Sequence, residues 1–486
     1  MDKYDAVVIG GGVLGCFAAR ELCRYDISAA LIEAREDVCT GISRSNTAII
    51  YSGCDNKPKT LKAQLTVRAN RGFQALCQEL DVPFSRCGSL TVSYSEKSDA
   101  VLHRKLENGR LSGVPGLSLI SGEQAQALEP SLGRGVSAAL YAQSTGTADP
   151  WQLCYAAYEN AVANGCNIHL NTKVLGIKRC GSDFVIETDR GEILTRAIVN
   201  CAGLYADKVH ELLFPPKVRI FPDGADYLVL ERGASSLSHI IMHERPEGGK
   251  GLTAVPTTNG NILLGPTERP CGEEDGATNS AGLALVRQLT AQVLPEIQLG
   301  KVIRSFSALR PNPHELALVD GGLVPGGSGI GSFVVECPEP SFISFIGIKT
   351  PGLTCAGELG RLAAEKLSAY LKASLRSDFQ PSRRAITRLR TLPFEGRREL
   401  VERNSDYGDV ICRCEDISRA EVLEAIKRGA VTVDGVKRRC GALLGVCQGS
   451  RCGGEIAAIL AHKLGIPEDS VTKSGGASFL LEHSHG

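Results

Sequence analysis

Four cysteines near the C-terminal end, Cys412, Cys414, Cys447 and Cys452, follow the spacing C-x-C-x32-C-x4-C. Two close pairs of thiolates converging on one point hold zinc or an iron–sulfur cluster. The C-x-C pair is tighter than the C-x2–4-C pairs usual for zinc, which favours the cluster. At the other end, Gly10-x-Gly12-Val13-Leu14-Gly15 follows an apolar run and opens a helical pattern. Glycines at this spacing let the turn close and let a pyrophosphate approach a helix N-terminus. Glu33 ends the next apolar run, with Ala34 behind it, and is placed to accept ribose hydroxyls. A dinucleotide site and a redox cluster in one chain imply an electron path from a substrate to an acceptor.

These residues need elements to hold them. Residues 5–10 read as a buried parallel strand, 13–25 as a helix and Ser28–Glu33 as a second strand, together a βαβ unit. Amphipathic helices are expected over Thr60–Glu79 and Pro150–Asn164, and strands over Asn167–Lys173, Asp183–Thr188 and Ala197–Cys201. From about 215 to 320 the pattern turns to strands, among them Tyr227–Leu230 and Asn261–Leu264, and predicts a sheet over the substrate. Phe342–Ile348 reads as a strand and Ala356–Leu371 as a helix. The Arg-, Pro- and Ser-rich stretch 376–408 reads as a linker, and the cysteine domain starts near Asp409. Its middle, Ser418–Arg428, reads as a helix with Ser418 as N-cap and Glu421 completing a capping box.

The chain has 486 residues, 43% of them hydrophobic, and a formal net charge of zero. That balance argues against a nucleic-acid binder. No apolar run is long enough to span a bilayer, so direct membrane insertion is not expected. Most of the 18 cysteines are scattered, and Cys16, Cys23, Cys154 and Cys201 lie in apolar stretches. They read as buried small hydrophobes in a reducing compartment, which predicts a cytoplasmic protein that meets any membrane only through a partner.

Three later features favour FAD over NAD. Ser43-Arg44-Ser45-Asn46 forms a loop after the second strand that is placed to reach phosphate and flavin. Asn200-Cys201-Ala202-Gly203 is a strand running into small residues, as needed where backbone passes close to a nucleotide. Gly347-Ile348-Lys349-Thr350-Pro351-Gly352-Leu353-Thr354 sets a second helix N-terminus where it can face the flavin pyrimidine. In these segments, and in Pro58–Ala63, Gly251–Thr267 and Ala308-Leu309-Arg310-Pro311, the chain resembles the FAD-dependent dehydrogenases of the D-amino-acid-oxidase superfamily. It looks most like the branch containing the catalytic subunit of anaerobic glycerol-3-phosphate dehydrogenase. The C-terminal cysteines and their glycines resemble the bacterioferritin-associated-ferredoxin-like domain with its [2Fe–2S] cluster.

The resemblance implies an α/β fold, with a Rossmann-like FAD-binding domain, an interleaved antiparallel-sheet substrate domain and a small helical [2Fe–2S] domain. The oxidoreductase would span 1–375, with FAD-binding parts at about 1–80, 145–210 and 340–375 and substrate parts at about 81–144 and 211–339. The linker 376–408 and the cluster domain 409–486 would follow. FAD contacts are expected from the residues quoted above and from Val174. Arg310 is expected to hold the anionic end of a small alcohol by two hydrogen bonds, with Lys349 beside flavin or substrate. A second flavoprotein or another electron-accepting subunit would take the electrons.

Two departures from the relatives stand out. Tyr51 replaces a histidine expected to take the substrate proton, and a phenol is a poor base unless its pKa falls. The stretch Glu315–Gly331 looks longer and more Gly-rich, as a lid, a docking loop or a solvated insertion would. His243 and His314 are weaker candidates for the base, and His483 and His485 are expected in a disordered tail. Cys440 reads as a bystander near the cluster. Two rival functions remain: an amine, imino-acid or opine dehydrogenase, and a redox carrier subunit with no substrate of its own.

Overall fold

Continuous apolar runs such as Ala-Val-Val-Ile need cover on both faces, and they take the centre of a parallel sheet. Strand Asp2–Ile9 is that centre, fully buried from Ala6 to Val8. In the computed structural model, which describes the chain except residues 246–249, 273–275, 320–321, 328 and 482–486 and gives only backbone at 318–319 and 322–323, two compact units are present. One comprises Met1–Ala34 and Cys39–Ser382, the other Arg35–Val38 and Arg383–Gly486.

In the first unit, Asp2–Ile9 lies between Ala29–Ile32 and Gly191–Asn200, both parallel to it, and Asn167–His169 extends the sheet. The far edge of Gly191–Asn200 is shared. Its first half pairs antiparallel with Asp183–Thr188 and its last residues pair parallel with Phe342–Ile346. Val334–Glu339 adds to this sheet as a hairpin arm of Phe342–Ile346, although its sequence position suggested the substrate sheet. Helices Val13–Leu22, Pro150–Ala163 and Gly352–Leu371 belong to this half.

A second, largely antiparallel sheet of ten strands forms the other half of the unit. Val218–Leu230 runs along Val302–Val319, with Asp223 opposite Arg310. Ile262–Gly265, Thr253–Pro256 and Ile240–His243 follow, then Ser89–Ser93, Ala138–Ala142 and Leu117–Ser121. Leu228, Leu230, Ile241, Leu252 and Leu264 fill its core. The stretch Glu315–Gly331, read as a lid, a docking loop or a solvated insertion, begins as an antiparallel ribbon, Val302–Val319 returning as Gly322–Pro325. Its residues 320–321 and 328 lie outside the described residues, as do His483 and His485.

The stretch expected as a linker is ordered. Residues up to Ser382 belong to the first unit, where the Gln380 and Pro381 carbonyls accept from Asn160 Nδ2 at 2.9 and 3.3 Å. Beyond them lies helix Phe394–Arg403, in the second unit. Its Arg398 and Glu402 stand at i,i+4 spacing, 3.5 Å apart, in a stretch whose composition reads as a linker. In the same unit the Asp37 carboxylate takes two hydrogen bonds from Arg439, at 2.6 and 2.7 Å. Helices Arg419–Lys427, Val433–Cys440 and Gly453–Leu464 pack around Ile417, Val422, Val436, Ile456 and Leu460. The Ser418–Glu421 capping box forms: Ser418 N–H donates to Glu421 Oε2 at 2.9 Å and Glu421 N–H to Ser418 Oγ at 3.4 Å. Among the described residues no helix is long and apolar enough to cross a membrane.

Candidate active site and cluster site

The glycine turn is a packed cradle. A Cβ on Gly15 would sit 1.8 Å from the Gly10 carbonyl oxygen, and one on Gly10, whose φ is +107°, would sit 2.5 Å from the Cys201 oxygen. Gly12 starts helix Val13–Leu22 without a side-chain cap. The predicted partners are gathered here: Gly11 N–H donates to Glu33 Oε2 at 2.6 Å and Val13 N–H to Ser43 Oγ at 2.9 Å. Asn46 braces the Ser43 loop, donating to the Ser43 carbonyl at 3.0 Å and accepting from Ala48 N–H at 2.7 Å. Trp151 Nε1 donates to the Arg44 carbonyl at 2.9 Å. Burial pushes the Cys201 thiol up, so it serves as packing. Val174 opens strand Val174–Cys180, which pairs with Asp183–Thr188 at the opposite edge of the sheet from Asn167–His169.

The second helix N-terminus also forms. Gly352–Leu371 starts after Pro351 with no side-chain cap. Thr354 Oγ1 accepts from Tyr51 N–H at 3.1 Å, which brings two predicted site residues together across the chain. Two helix N-termini whose N-cap residues, Gly12 and Pro351, supply no side-chain cap, and a cradle that a methyl would fill, fit FAD, the first turn for its pyrophosphate and the second for its isoalloxazine.

Arg310 stands on the long strand Val302–Val319. Its Nη2 donates to the Thr267 carbonyl and to Glu268 Oε1, both at 3.3 Å, while its buried Nε has no partner among the described residues. Lys349 Nζ hydrogen-bonds Asn312 Oδ1, and Asn312 Nδ2 lies 3.2 Å from His314 Nε2, so His314 joins the cluster at second hand. His243 is elsewhere, edge-on to Tyr94.

Two lysines complete a cationic wall that the sequence reading did not assign to the substrate. Burial, then the Lys349 charge, pushes the Lys62 amine down to about 8. Burial and Arg310 lower Lys250. Lys349 is lowered chiefly by burial, with Arg310 and Lys250 adding to the effect against the pull of Asp223. Four cations therefore feel one another, three of them half-buried and Lys250 exposed, with Asp223 and Glu268 among them. Behind them burial pushes the Asp55 carboxyl up, but Lys105 Nζ, 2.7 Å from Asp55 Oδ1, outweighs it and holds the group below its usual range. Lys250 immediately precedes the Gly251–Thr267 segment and Lys62 lies in the Pro58–Ala63 segment; the segments are signals, but nothing in them marks either lysine for the substrate.

Tyr51 does not become a base. Burial raises its phenol above the ordinary value, and a hydrogen bond with Thr47 only partly offsets that. It stays protonated at neutral pH and is a donor.

In the second unit, Cys412 ends strand Val410–Cys412 and Cys452 caps helix Gly453–Leu464. The thiols pair: Cys412 with Cys452, and Cys414 with Cys447. Backbone N–H groups of Arg451 and Gly449 point at the Cys447 sulfur. Among the described residues no three His, Cys, Asp or Glu side chains close on one point as a single metal ion requires. Two thiol pairs suit two irons, each taking two thiolates, better than one zinc. Cys440 stands apart, its Sγ donating to the Val436 carbonyl at 3.2 Å.

Comparison with known proteins agrees with both halves. Residues 5–366 match the FAD dependent oxidoreductase (DAO) family and residues 410–462 the BFD-like [2Fe-2S] binding domain. A glycerol 3-phosphate dehydrogenase of Caloramator mitchellensis is 34% identical over 98% of each chain. The mitochondrial L-2-hydroxyglutarate dehydrogenase of Homo sapiens is 30% identical over 54% of this chain and 60% of its own. The FAD-bound L-alpha-glycerophosphate oxidase of Mycoplasma pneumoniae shares the fold, with a TM-score of 0.71 at 22% identity over 79% of this chain and 99% of that one. The cradle, the paired thiols and these matches together place the chain in the FAD-dependent oxidoreductase family, with a BFD-like [2Fe–2S] domain at its C-terminal side.

Proposed function

We propose that this enzyme oxidises a small anionic alcohol of the glycerol 3-phosphate class and passes the electrons through its [2Fe–2S] domain to a second protein, a flavoprotein or other electron-accepting subunit. The single observation that carries the substrate class is the grouping of Arg310, Lys349, Lys62 and Lys250, four cations set against Asp223 and Glu268, an excess of positive charge that suits an anion. In this reading Arg310 takes the phosphate on its fork, its unpartnered Nε included, and the lysines neutralise the second charge. Tyr51 donates a hydrogen bond and orients the alcohol. Ser43, Glu33 and the two helix N-termini hold the FAD, which when bound accepts hydride and can release electrons singly. The same field disfavours a substrate ammonium, which weighs against the amine-oxidising alternative. We place the enzyme in the cytoplasm, with any membrane association made through its partner.

The test is anaerobic mixing with glycerol 3-phosphate while the flavin and cluster bands are followed. Both bands bleach if the reading holds. Bleaching by L-2-hydroxyglutarate alone would move the substrate to the 2-hydroxy acids, which the same wall can hold by carboxylate. Bleaching by sarcosine or proline but by neither anion would overturn the alcohol reading, and bleaching by none would leave a carrier subunit.

A further inference from the structure

The two thiol pairs of the cluster site differ in exposure. Cys412 and Cys452 are 1% and 2% exposed, whereas Cys414 and Cys447 are half-buried. The loops carrying the second pair abut: a Cβ on Gly445 would lie 2.3 Å from Cys414 Cβ. Arg413, Val446 and Arg451 are exposed on these loops, Val446 at 59%. The carboxylates nearby are already neutralised. Glu415 is 2.8 Å from Arg390, Asp416 is 3.0 Å from Arg397, and Asp409 and Glu455 share Arg419 at 2.5 and 3.4 Å. Arg413 and Arg451 have no carboxylate partner among the described residues. The charge left open beside the half-buried ligands is therefore positive. It offsets the cluster, which on four thiolates is itself net negative and would otherwise repel an acidic surface.

We propose that Arg413 and Arg451, set around Val446, form the rim on which an acidic electron-accepting protein docks, and that electrons leave on the Cys414/Cys447 side. The proposal rests on the reading of this domain as a [2Fe–2S] relay to a partner. An electron crosses efficiently only near contact, and the half-buried pair offers that contact where the buried pair does not. Val446 supplies a small patch that loses water on docking, and the arginines supply orientation and a fast, salt-sensitive encounter. One electron crosses, the acceptor is reduced by one, and no bond is made or broken.

The test uses full-length protein, reduced without oxygen and mixed rapidly with ferricyanide, an anionic oxidant, or tris(phenanthroline)cobalt(III), a cationic one, with the iron–sulfur band followed. The double variant Arg413→Glu, Arg451→Glu is expected to slow ferricyanide about tenfold at low salt and to speed the cobalt complex, both effects shrinking as salt is raised. Arg413→Gln with Arg451→Gln moves both rates in the same senses by less, and stands in if charge reversal loses the cluster. Were the arginines only tuning the reduction potential, both oxidants would change in one direction; that result, or rates unmoved by charge and salt, overturns the rim. A wild-type protein without an iron–sulfur band would overturn the cluster reading instead.

Discussion

The nucleotide cradle and the cationic wall lie in the same unit and are built in opposite ways. The cradle is made of backbone: Gly10, Gly12 and Gly15 within one turn, with Glu33 and Ser43 bonded to main-chain N–H groups. The wall is made of the ends of long side chains from positions 62, 250, 310 and 349. A backbone site fails when an atom is added, because nothing can move aside. A side-chain site fails when charge is removed, because flexible stems absorb changes of shape.

The largest expected effect comes from adding that atom. Gly15→Ala puts a methyl 1.8 Å from a backbone oxygen, and more than about 4 kcal/mol of lost stability is expected, with protein that folds poorly and retains no FAD. Normal flavin content would break the contrast. Next is Arg310→Ala, which removes two charge-assisted bonds. A loss of about 3–4 kcal/mol, a few hundredfold in kcat/KM for glycerol 3-phosphate, is expected with flavin content unchanged, and Arg310→Lys should recover part of it.

Glu129 sharpens the comparison, since here a carboxylate is used as architecture. It accepts from Ser131 Oγ at 2.6 Å, Ser238 N–H at 2.9 Å and His239 N–H at 3.1 Å. Burial pushes its pKa up, but the His239 and serine bonds outweigh that and hold it at about 2. A folded value below the unfolded one means stability that is present above the usual carboxylate range and lost as pH falls toward about 2. Unfolding midpoints against pH should show wild type losing roughly 3 kcal/mol across that window, and Glu129→Gln lacking the dependence. The smallest effect is at Lys62. Its charge is present below about 8 and lost above, so KM for the anion should rise several-fold as pH climbs through that value. Lys62→Met should start at the higher KM and stay flat.

How legible each part was follows from how local it is. The glycine turn and the Ser418 capping box are fixed by contacts within a few residues, and the structure forms them where the sequence sets them, while the four cysteines stand as two pairs, Cys412 with Cys452 and Cys414 with Cys447. Helix Phe394–Arg403 lies in the stretch read as a linker, because a charged helix and a linker share a composition and the i,i+4 pairing is what reveals the helix. Tyr51 was weighed as a base because nothing in its own segment says that it would be buried against Thr47 with a raised pKa.

By itself the sequence determined the local chemistry: where a backbone can meet a pyrophosphate, and which thiols are spaced for a cluster. Only the tertiary structure decided charge and exposure. Lys250 and Lys349 join Arg310 from loops, and Lys62 from the start of helix Leu61–Glu79, because the fold brings them together and not because of any spacing, and Cys412 and Cys452 are buried while Cys414 and Cys447 are half-buried. Electrostatic strength depends on distance and on the water left between groups, and both are set by residues far apart in the chain.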